Sequence, residues 1–340
     1  MFKANTEPTN IPLYLHKFHS VFSKESFDGL PESIPWDHAV ELQPDANPKG
    51  YKVYPLSVSE QKELDAFLKE NLESEHIQPS KSPMASSVFF VKKKDSILCL
   101  VQNYCVLNTM TMKNKYPLPL IPELITKLCR AKYFTKLDVH WGFNNVCMKE
   151  DDEWKAAFRM NRGLFEPLVM LFGLTNSPAT FQTMMNDIFE ELITEGQVVV
   201  YLDDIFIFTE TIDEHWAITQ QVLEILQKHK LYLHTDKCEF KKTTVEYLGV
   251  IISHNPVAMD PVKIAGIAEW PTPTNKKKVQ SFLGFTNFYW QFIKGFSEHT
   301  HPLFDLMRNN SVWCWKVSEQ SAFDRLKESV TSAPVLISPD

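Results

Sequence analysis

The spacing of apolar residues divides the chain into stretches of different period. Residues 1–49 are rich in Pro, Asn and other polar residues, show little periodicity, and predict an extended arm. Ser57 and Glu60 have capping-box spacing, and Leu64, Phe67, Leu68 and Leu72 behind them share one helical face. Ser87–Lys93 reads as a strand, Lys94-Asp95-Ser96 as a hairpin tip, and Leu98–Gln102 as the returning strand. A Pro-rich stretch at Tyr116–Pro122 leads into a short helix over Glu123–Cys129, then a strand at Tyr133–Val139.

Pro178 suits the first turn of a helix whose stripe is Phe181, Met184, Met185, Ile188 and Leu192, with Gly196 as its stop. Gln197–Leu202 and Ile205–Phe208 are apolar strands joined across Asp203-Asp204. A helix over Ile212–Lys228 follows, then strands near Leu231 and over Val245–Ile252. Beyond Pro256 the pattern turns helical only, around Pro261–Glu269, Lys276–Ile293 and Glu319–Thr331, which marks a subdomain boundary. No internal repeat or low-complexity tract interrupts this order.

At 340 residues and 44% hydrophobic, the chain can bury a large core in more than one subdomain. No apolar run is long enough to span a bilayer, and the N-terminus lacks a basic-then-apolar leader, so neither a membrane span nor export is expected. Six Cys (99, 105, 129, 147, 238 and 314) form no CxxC pair and have no His at zinc-finger spacing. That argues against a disulfide scaffold or zinc site and for a reducing cytoplasmic or nuclear setting. The net charge of −7 weighs against nucleic-acid binding, yet basic residues cluster at Lys92–Lys94, Lys113 and Lys115, Lys241-Lys242 and Lys276–Lys278. Taken alone, such runs are usually solvated surface. The basic residues are also lopsided, with 30 Lys against five Arg.

Two strands carry acids that packing does not explain. Asp138 ends the run Phe134-Thr-Lys-Leu-Asp138, and Asp203-Asp204 interrupts an otherwise apolar hairpin. Carboxylates brought together away from water are costly unless a cation neutralises them. Hard divalent ions such as Mg²⁺ take one or two carboxylates plus substrate phosphates, and a pair of them serves in-line phosphoryl transfer. The plain alternative is that an Asp-Asp pair at a hairpin is only a turn.

The surrounding motifs decide between these. Tyr201-Leu-Asp-Asp204 resembles the YxDD box of reverse transcriptases, and Leu137-Asp138-Val139 resembles the strand bearing their other catalytic Asp. Phe172-Gly-Leu-Thr-Asn-Ser-Pro-Ala-Thr-Phe-Gln182 is similar to the block that contacts template and nucleotide, and Tyr247-Leu248-Gly249 to the primer grip. Val279–Gly284 and Asn287–Tyr289 are similar to the thumb and connection of gypsy-type LTR retrotransposons. The resemblance covers essentially the whole chain in the family's order.

It implies an α+β right-hand polymerase fold with an antiparallel palm sheet. Fingers would be 50–112 and 146–176, palm 113–145 and 177–256, and thumb and connection 257–340, ending before an RNase H domain. The implied activity is RNA-directed DNA polymerase, with Asp138, Asp203 and Asp204 as catalytic metal ligands, helped by the Val139 backbone, and two Mg²⁺ ions that Mn²⁺ could replace. Phe143, five residues after Asp138, matches the steric gate against a ribose 2′-hydroxyl, which works by clash. Phe172, Gly173 and Gln182 match the nucleotide-binding block, Lys94 or a neighbour the triphosphate-contacting fingertip, and Lys276–Lys278 a helix that follows duplex phosphates. Implied partners are an RNA or DNA template with primer, deoxynucleoside triphosphates, and RNase H and integrase units of a larger polyprotein. The implied location is cytoplasmic, in a virus-like particle, or nuclear.

The chain departs from the family in the fingers. Where relatives read K-K-D-G-S-L-R-x-x-x-D-Y-R-x-L-N, this chain has Cys99 and Cys105 for the two Arg, Asn103 for the Asp, and no tip glycine. Cys129, His140, Cys147, Trp216, Trp290, Gln291 and Cys314 also stand where a basic residue is expected. Arg replaced by Cys, His, Trp or Gln is what loss of CG dinucleotides from Arg codons produces. The second reading is therefore a degenerate copy, catalytically impaired and at most a nucleic-acid-binding module. Ordinary divergence, with Lys doing the work of Arg, is the rival explanation.

Overall fold

The structure is a computed structural model that describes residues 12–23, 29–47, 50, 52–92, 98–128, 131–247, 249–254, 257–293, 295–308 and 311–332. In chain order its helices are α1 (Val58–Glu73), α2 (Cys105–Met110), α3 (Ile121–Leu128), α4 (Ser177–Ile188), α5 (Glu190–Thr194), α6 (Ile212–Lys228), α7 (Pro261–Ala268), α8 (Lys276–Thr286), α9 (Phe296–Met307) and α10 (Val317–Ser332). The strands are β1 (Ile77–Pro79), β2 (Ser86–Lys92), β3 (Leu98–Gln102), β4 (Tyr133–Asp138), β5 (Phe158–Met160), β6 (Gly163–Pro167), β7 (Val198–Tyr201), β8 (Asp204–Thr209), β9 (Glu239–Lys242), β10 (Thr244–Tyr247), β11 (Val250–Ser253) and β12 (Val257–Met259). Two compact units result: Met1–Pro119, Thr135–Ile207 and Asp213–Phe240 form the first, and Leu120–Phe134, Phe208–Ile212 and Lys241–Asp340 the second.

The first unit is built around two sheets. One has the order β1-β6-β5-β2-β3; its β2 and β3 pair antiparallel from Val88↔Gln102 to Lys92↔Leu98, and β2 and β5 pair parallel. The other, in the order β7-β8-β4-β9, carries the acids. Its strands β7 and β8 are almost wholly buried because α4, α5 and α6 supply apolar stripes, including Phe181, Met184, Leu192, Val222 and Leu226, to one continuous core. The capping box on α1 is present, with the Ser57 hydroxyl and the Glu60 carboxylate each accepting the other's backbone N–H. Leu64 and Leu68 of that helix are buried, whereas Leu72 is exposed.

The second unit packs α10 against α7 and α9, and α8 against α9, around Val279, Phe282, Leu303, Phe323 and Leu326. The Phe282 and Phe323 rings lie 4.6 Å apart. A three-stranded antiparallel sheet, β10-β11-β12, belongs to this unit. Among the described residues, no helix is long and apolar enough to cross a membrane.

Several elements differ from the sequence expectation, each for a physical reason. The predicted extended arm holds 3₁₀ structure over Leu13–Phe22, kinked at Phe18, with Leu15, Phe18, Val21 and Phe22 buried. The helix begun at Pro178 breaks at Phe189, whose non-helical backbone lets its ring enter the core, so Leu192 sits on α5. The run Val245–Ile252 folds back on itself at Gly249, where φ is +86°, a region that glycine enters freely. The stretch beyond Pro256 is not purely helical, since β12 precedes α7, and α9 is a helix the pattern did not suggest.

Candidate active site

The hairpin β7–β8 closes through a two-residue turn, Leu202-Asp203, with Tyr201 and Asp204 paired across it. Such a turn requires positive φ at its first central residue, and Leu202 adopts φ 52° despite its side chain. Asp138 ends the neighbouring strand β4. Beside it the Val139 amide donates to the Asp203 carbonyl at 2.8 Å, and the His234 amide donates to the Asp138 carbonyl at 2.9 Å. Asp138 is thus bracketed by the acidic turn on one side and by residues 232–234 on the other.

Electrostatics mark the same spot. Burial, then the Asp138 charge, then the Asp204 charge push the Asp203 carboxyl up to about 6. Asp204 is also raised, by burial first, with Lys136 opposing. Asp203 Oδ1 is buried with no hydrogen-bond partner among the described residues. Gly142 makes room for it: a Cβ there would collide with that oxygen and reach Phe181 at 2.8 Å.

Two lysines neutralise the remaining acids. Lys237 Nζ lies 3.2 and 3.3 Å from the two Asp138 carboxylate oxygens, and Lys136 Nζ lies 3.7 Å from Asp204 Oδ1. Among the described residues, no three His, Cys, Asp or Glu side chains already converge as a metal centre. The donor set nonetheless suits a hard cation: three carboxylates, one with a buried oxygen lacking a partner, and lysine ammoniums drawn to the other two.

Phe143 follows Trp141, a left-handed residue, in the 3₁₀ turn Gly142–Asn145. Its ring lies 4.8 Å from Phe172 and 5.6 Å from Phe181. It is only 6% exposed, whereas Phe172 is 57% exposed. Gly173 has φ +93°, and Asn108 clamps the turn after Phe172, its amide donating to the Gly173 carbonyl at 2.8 Å and accepting from the Thr175 amide at 2.9 Å. Gln182 is fully buried and reaches the β7–β8 hairpin, not the surface.

Tyr247 is buried in β10, and the Gly249 carbonyl accepts from the Tyr289 hydroxyl at 3.2 Å. A side chain at Gly249 would collide with Lys263. Lys94 and Leu248 lie outside the described residues.

Comparison with known proteins bears on this geometry. Residues 91–252 match the model of the reverse transcriptase (RNA-dependent DNA polymerase) family. That span contains Asp138, the Phe172 turn and the Asp203-Asp204 hairpin. This stretch of the chain is similar to a reverse transcriptase domain. It is 33% identical over 330 residues to the transposon Tf2-3 polyprotein of Schizosaccharomyces pombe, covering 96% of this chain and 24% of that one. The chain therefore spans about a quarter of the length of the curated relatives it matches. A foamy viral protease–reverse transcriptase bound to double-stranded DNA superposes with a TM-score of 0.82 at 23% identity, covering 96% of this chain and 68% of that one. The same viral protein with an RNA/DNA hybrid gives 0.76 at 23% identity, covering 93% and 43%. This likeness shows the α+β polymerase fold.

Sequence reasoning missed four residues of this candidate site. Lys136 had a readable signal, because it lies two residues before Asp138 and so on the same face of β4. Lys237, Asn108 and Gly142 had none, since their partners are distant in sequence or defined only by close approach.

Proposed function

We propose that this chain is the polymerase portion of a retrotransposon polyprotein, adding deoxynucleotides to a primer 3′-hydroxyl on an RNA or DNA template. The observation that carries the reading is the junction of Asp138 with the Asp203-Asp204 turn, fastened by the Val139–Asp203 hydrogen bond, with Asp203 Oδ1 buried and lacking a hydrogen-bond partner among the described residues. Asp138, Asp203 and Asp204 would hold two Mg²⁺ ions together with the Val139 backbone. Bound there, those ions supply activation of the attacking hydroxyl and neutralisation of the leaving pyrophosphate. Lys136 and Lys237 balance the acids and lower the cost of gathering them. Phe143, leaning on Phe172, would bar a 2′-hydroxyl, and the Asn108 clamp sets where Phe172 stands. Residues 50–112 and 146–176 would act as fingers, 113–145 and 177–256 as palm, and 257–340 as thumb. Extension of a primer on an RNA template, lost in Asp203→Asn, tests this reading.

One observation favours the impaired-copy reading. Cys147, where the family resemblance expects Arg, is buried beside Asp37 and Glu153; burial first, then those two charges, push its thiol up to about 11. A basic side chain there would have answered both acids. Its thiol instead donates to the Pro31 carbonyl at 3.2 Å. On this reading the fold and the metal acids persist while nucleotide binding has weakened through Cys99 and Cys105.

A further inference from the structure

The turn that presents Asp203 has an unfavourable backbone. Leu202 takes positive φ at the first central position of a two-residue hairpin, where Gly, Asn or Asp is the usual occupant. A side chain held in that region persists only where its surroundings over-determine it. The surroundings here include one side chain. Gln182, on α4 and 0% exposed, accepts from the Leu202 amide through Oε1 at 2.9 Å and donates from Nε2 to the Val200 carbonyl at 3.2 Å. The same Nε2 lies 2.9 Å from Asn186 Oδ1, and the Asn186 amide donates to the Tyr116 hydroxyl at 2.7 Å. A polar chain thus runs from half-buried Tyr116 and Asn186 through buried Gln182 to the residue preceding Asp203.

We propose that Gln182 is a positioning residue for cation binding: by gripping Val200 and Leu202 it holds the Leu202-Asp203 turn in its left-handed form and so fixes where the Asp203 carboxylate points. The inference rests on the metal-binding reading above. It replaces the template or nucleotide contact that the family resemblance implies for Gln182, which a wholly buried amide engaged at both ends does not offer. Gly142 is the complementary feature, since it leaves space for the carboxylate that Gln182 aims. A residue that merely filled the core would be replaceable by Met, which has similar length and no amide.

The test is Mn²⁺ binding to the full chain, read by electron paramagnetic resonance of the free ion, for native protein, Asp203→Asn, Gln182→Met, Leu202→Gly and the Gln182→Met/Leu202→Gly double variant. Native protein should bind Mn²⁺ and Asp203→Asn should lose it. Gln182→Met should bind roughly fivefold or more weakly, the scale of one or two lost hydrogen bonds. The double variant should recover most of that loss, because glycine holds positive φ unaided. Core filling would not be rescued in this way. Should Gln182→Met fail to fold, the double variant and the protection of the Leu202 amide against hydrogen exchange in native protein still decide the matter. Native-like binding by Gln182→Met, no rescue by Leu202→Gly, or rapid exchange at Leu202 overturns the assignment while the metal site stands. Absence of Mn²⁺ binding by native protein overturns both.

Discussion

The amide of Val139 and the carbonyl of Asp203 are joined by a 2.8 Å hydrogen bond, which brings the end of β4 against the turn of the β7–β8 hairpin. The acids on these two strands are far apart in the chain and are gathered by that contact. Much of their chemistry follows from the gathering.

Holding the Asp203 carboxylate among its neighbours costs stability. Its carboxyl is raised to about 6 in the folded protein from an ordinary value of 3.8. The folded state therefore favours the proton, and stability is highest below the ordinary value, falling as pH rises toward 6. Above pH 6 the ionised group costs on the order of 1–2 kcal/mol after allowance for solvent screening. Asp203→Asn should accordingly raise the melting temperature of metal-free protein by a few degrees at pH 7.5 and change it little at pH 4. Thermal denaturation at the two pH values checks this. An equal effect at both would mean the charge is not the cause.

Sugar selectivity should depend on Phe143. Its ring sits between buried Phe181 and exposed Phe172, so trimming it opens space on the Phe172 side. Phe143→Ala should admit ribonucleotides while deoxynucleotide use falls less, because exclusion by clash is lost and no hydrogen bond is. The ratio of kcat/KM for the two sugars is the quantity to compare. An unchanged ratio would make Phe143 a core residue only.

The Asn108 clamp should matter for nucleotide affinity. Asn108→Leu removes both hydrogen bonds to the turn at Gly173–Thr175 and loosens the segment that carries Phe172. Two such bonds are worth about 1–2 kcal/mol, so KM for deoxynucleotides should rise roughly five- to thirtyfold. Affinity for primed template should stay within twofold on the same scale of reasoning. A loss in template affinity with KM unchanged would relocate the clamp's role.

Cys99 lies half-buried on β3, paired with Val91 of β2, and supplies no donor fork to a phosphate. A charge-assisted contact is worth roughly 1.5–3 kcal/mol, so native activity should be weak and Cys99→Arg should raise it roughly ten- to a hundredfold. Adding Cys105→Arg and Asn103→Asp should help further, and the gain should fall mainly on nucleotide KM. Efficient extension by native protein with no gain from Cys99→Arg would favour ordinary divergence.

How much of this was readable in the sequence follows from the range of the forces involved. Helix α1 announces itself through its own capping box, and β7–β8 through an apolar run broken by two acids, since both signals are local. The helical turn at Leu13–Phe22 begins at Pro12 without a side-chain cap, so only its burial reveals it. The break at Phe189 and the reversal at Gly249 are tertiary choices inside runs that look continuous. The acids themselves were legible because charge in an apolar strand needs explaining. Lys237, Asn108 and the brace from Gln182 were not, because each acts on backbone or charge far away in sequence.

The most direct test of the central account is primer extension on a primed RNA template over a range of Mg²⁺ and deoxynucleotide concentrations. Native protein, Asp203→Asn, and the Cys99→Arg/Asn103→Asp/Cys105→Arg variant are compared. Mg²⁺-dependent deoxynucleotide addition is expected, weak in native protein, stronger in the triple variant and abolished by Asp203→Asn. Folded protein that extends in neither native nor triple-variant form, or extension that survives Asp203→Asn, would contradict it.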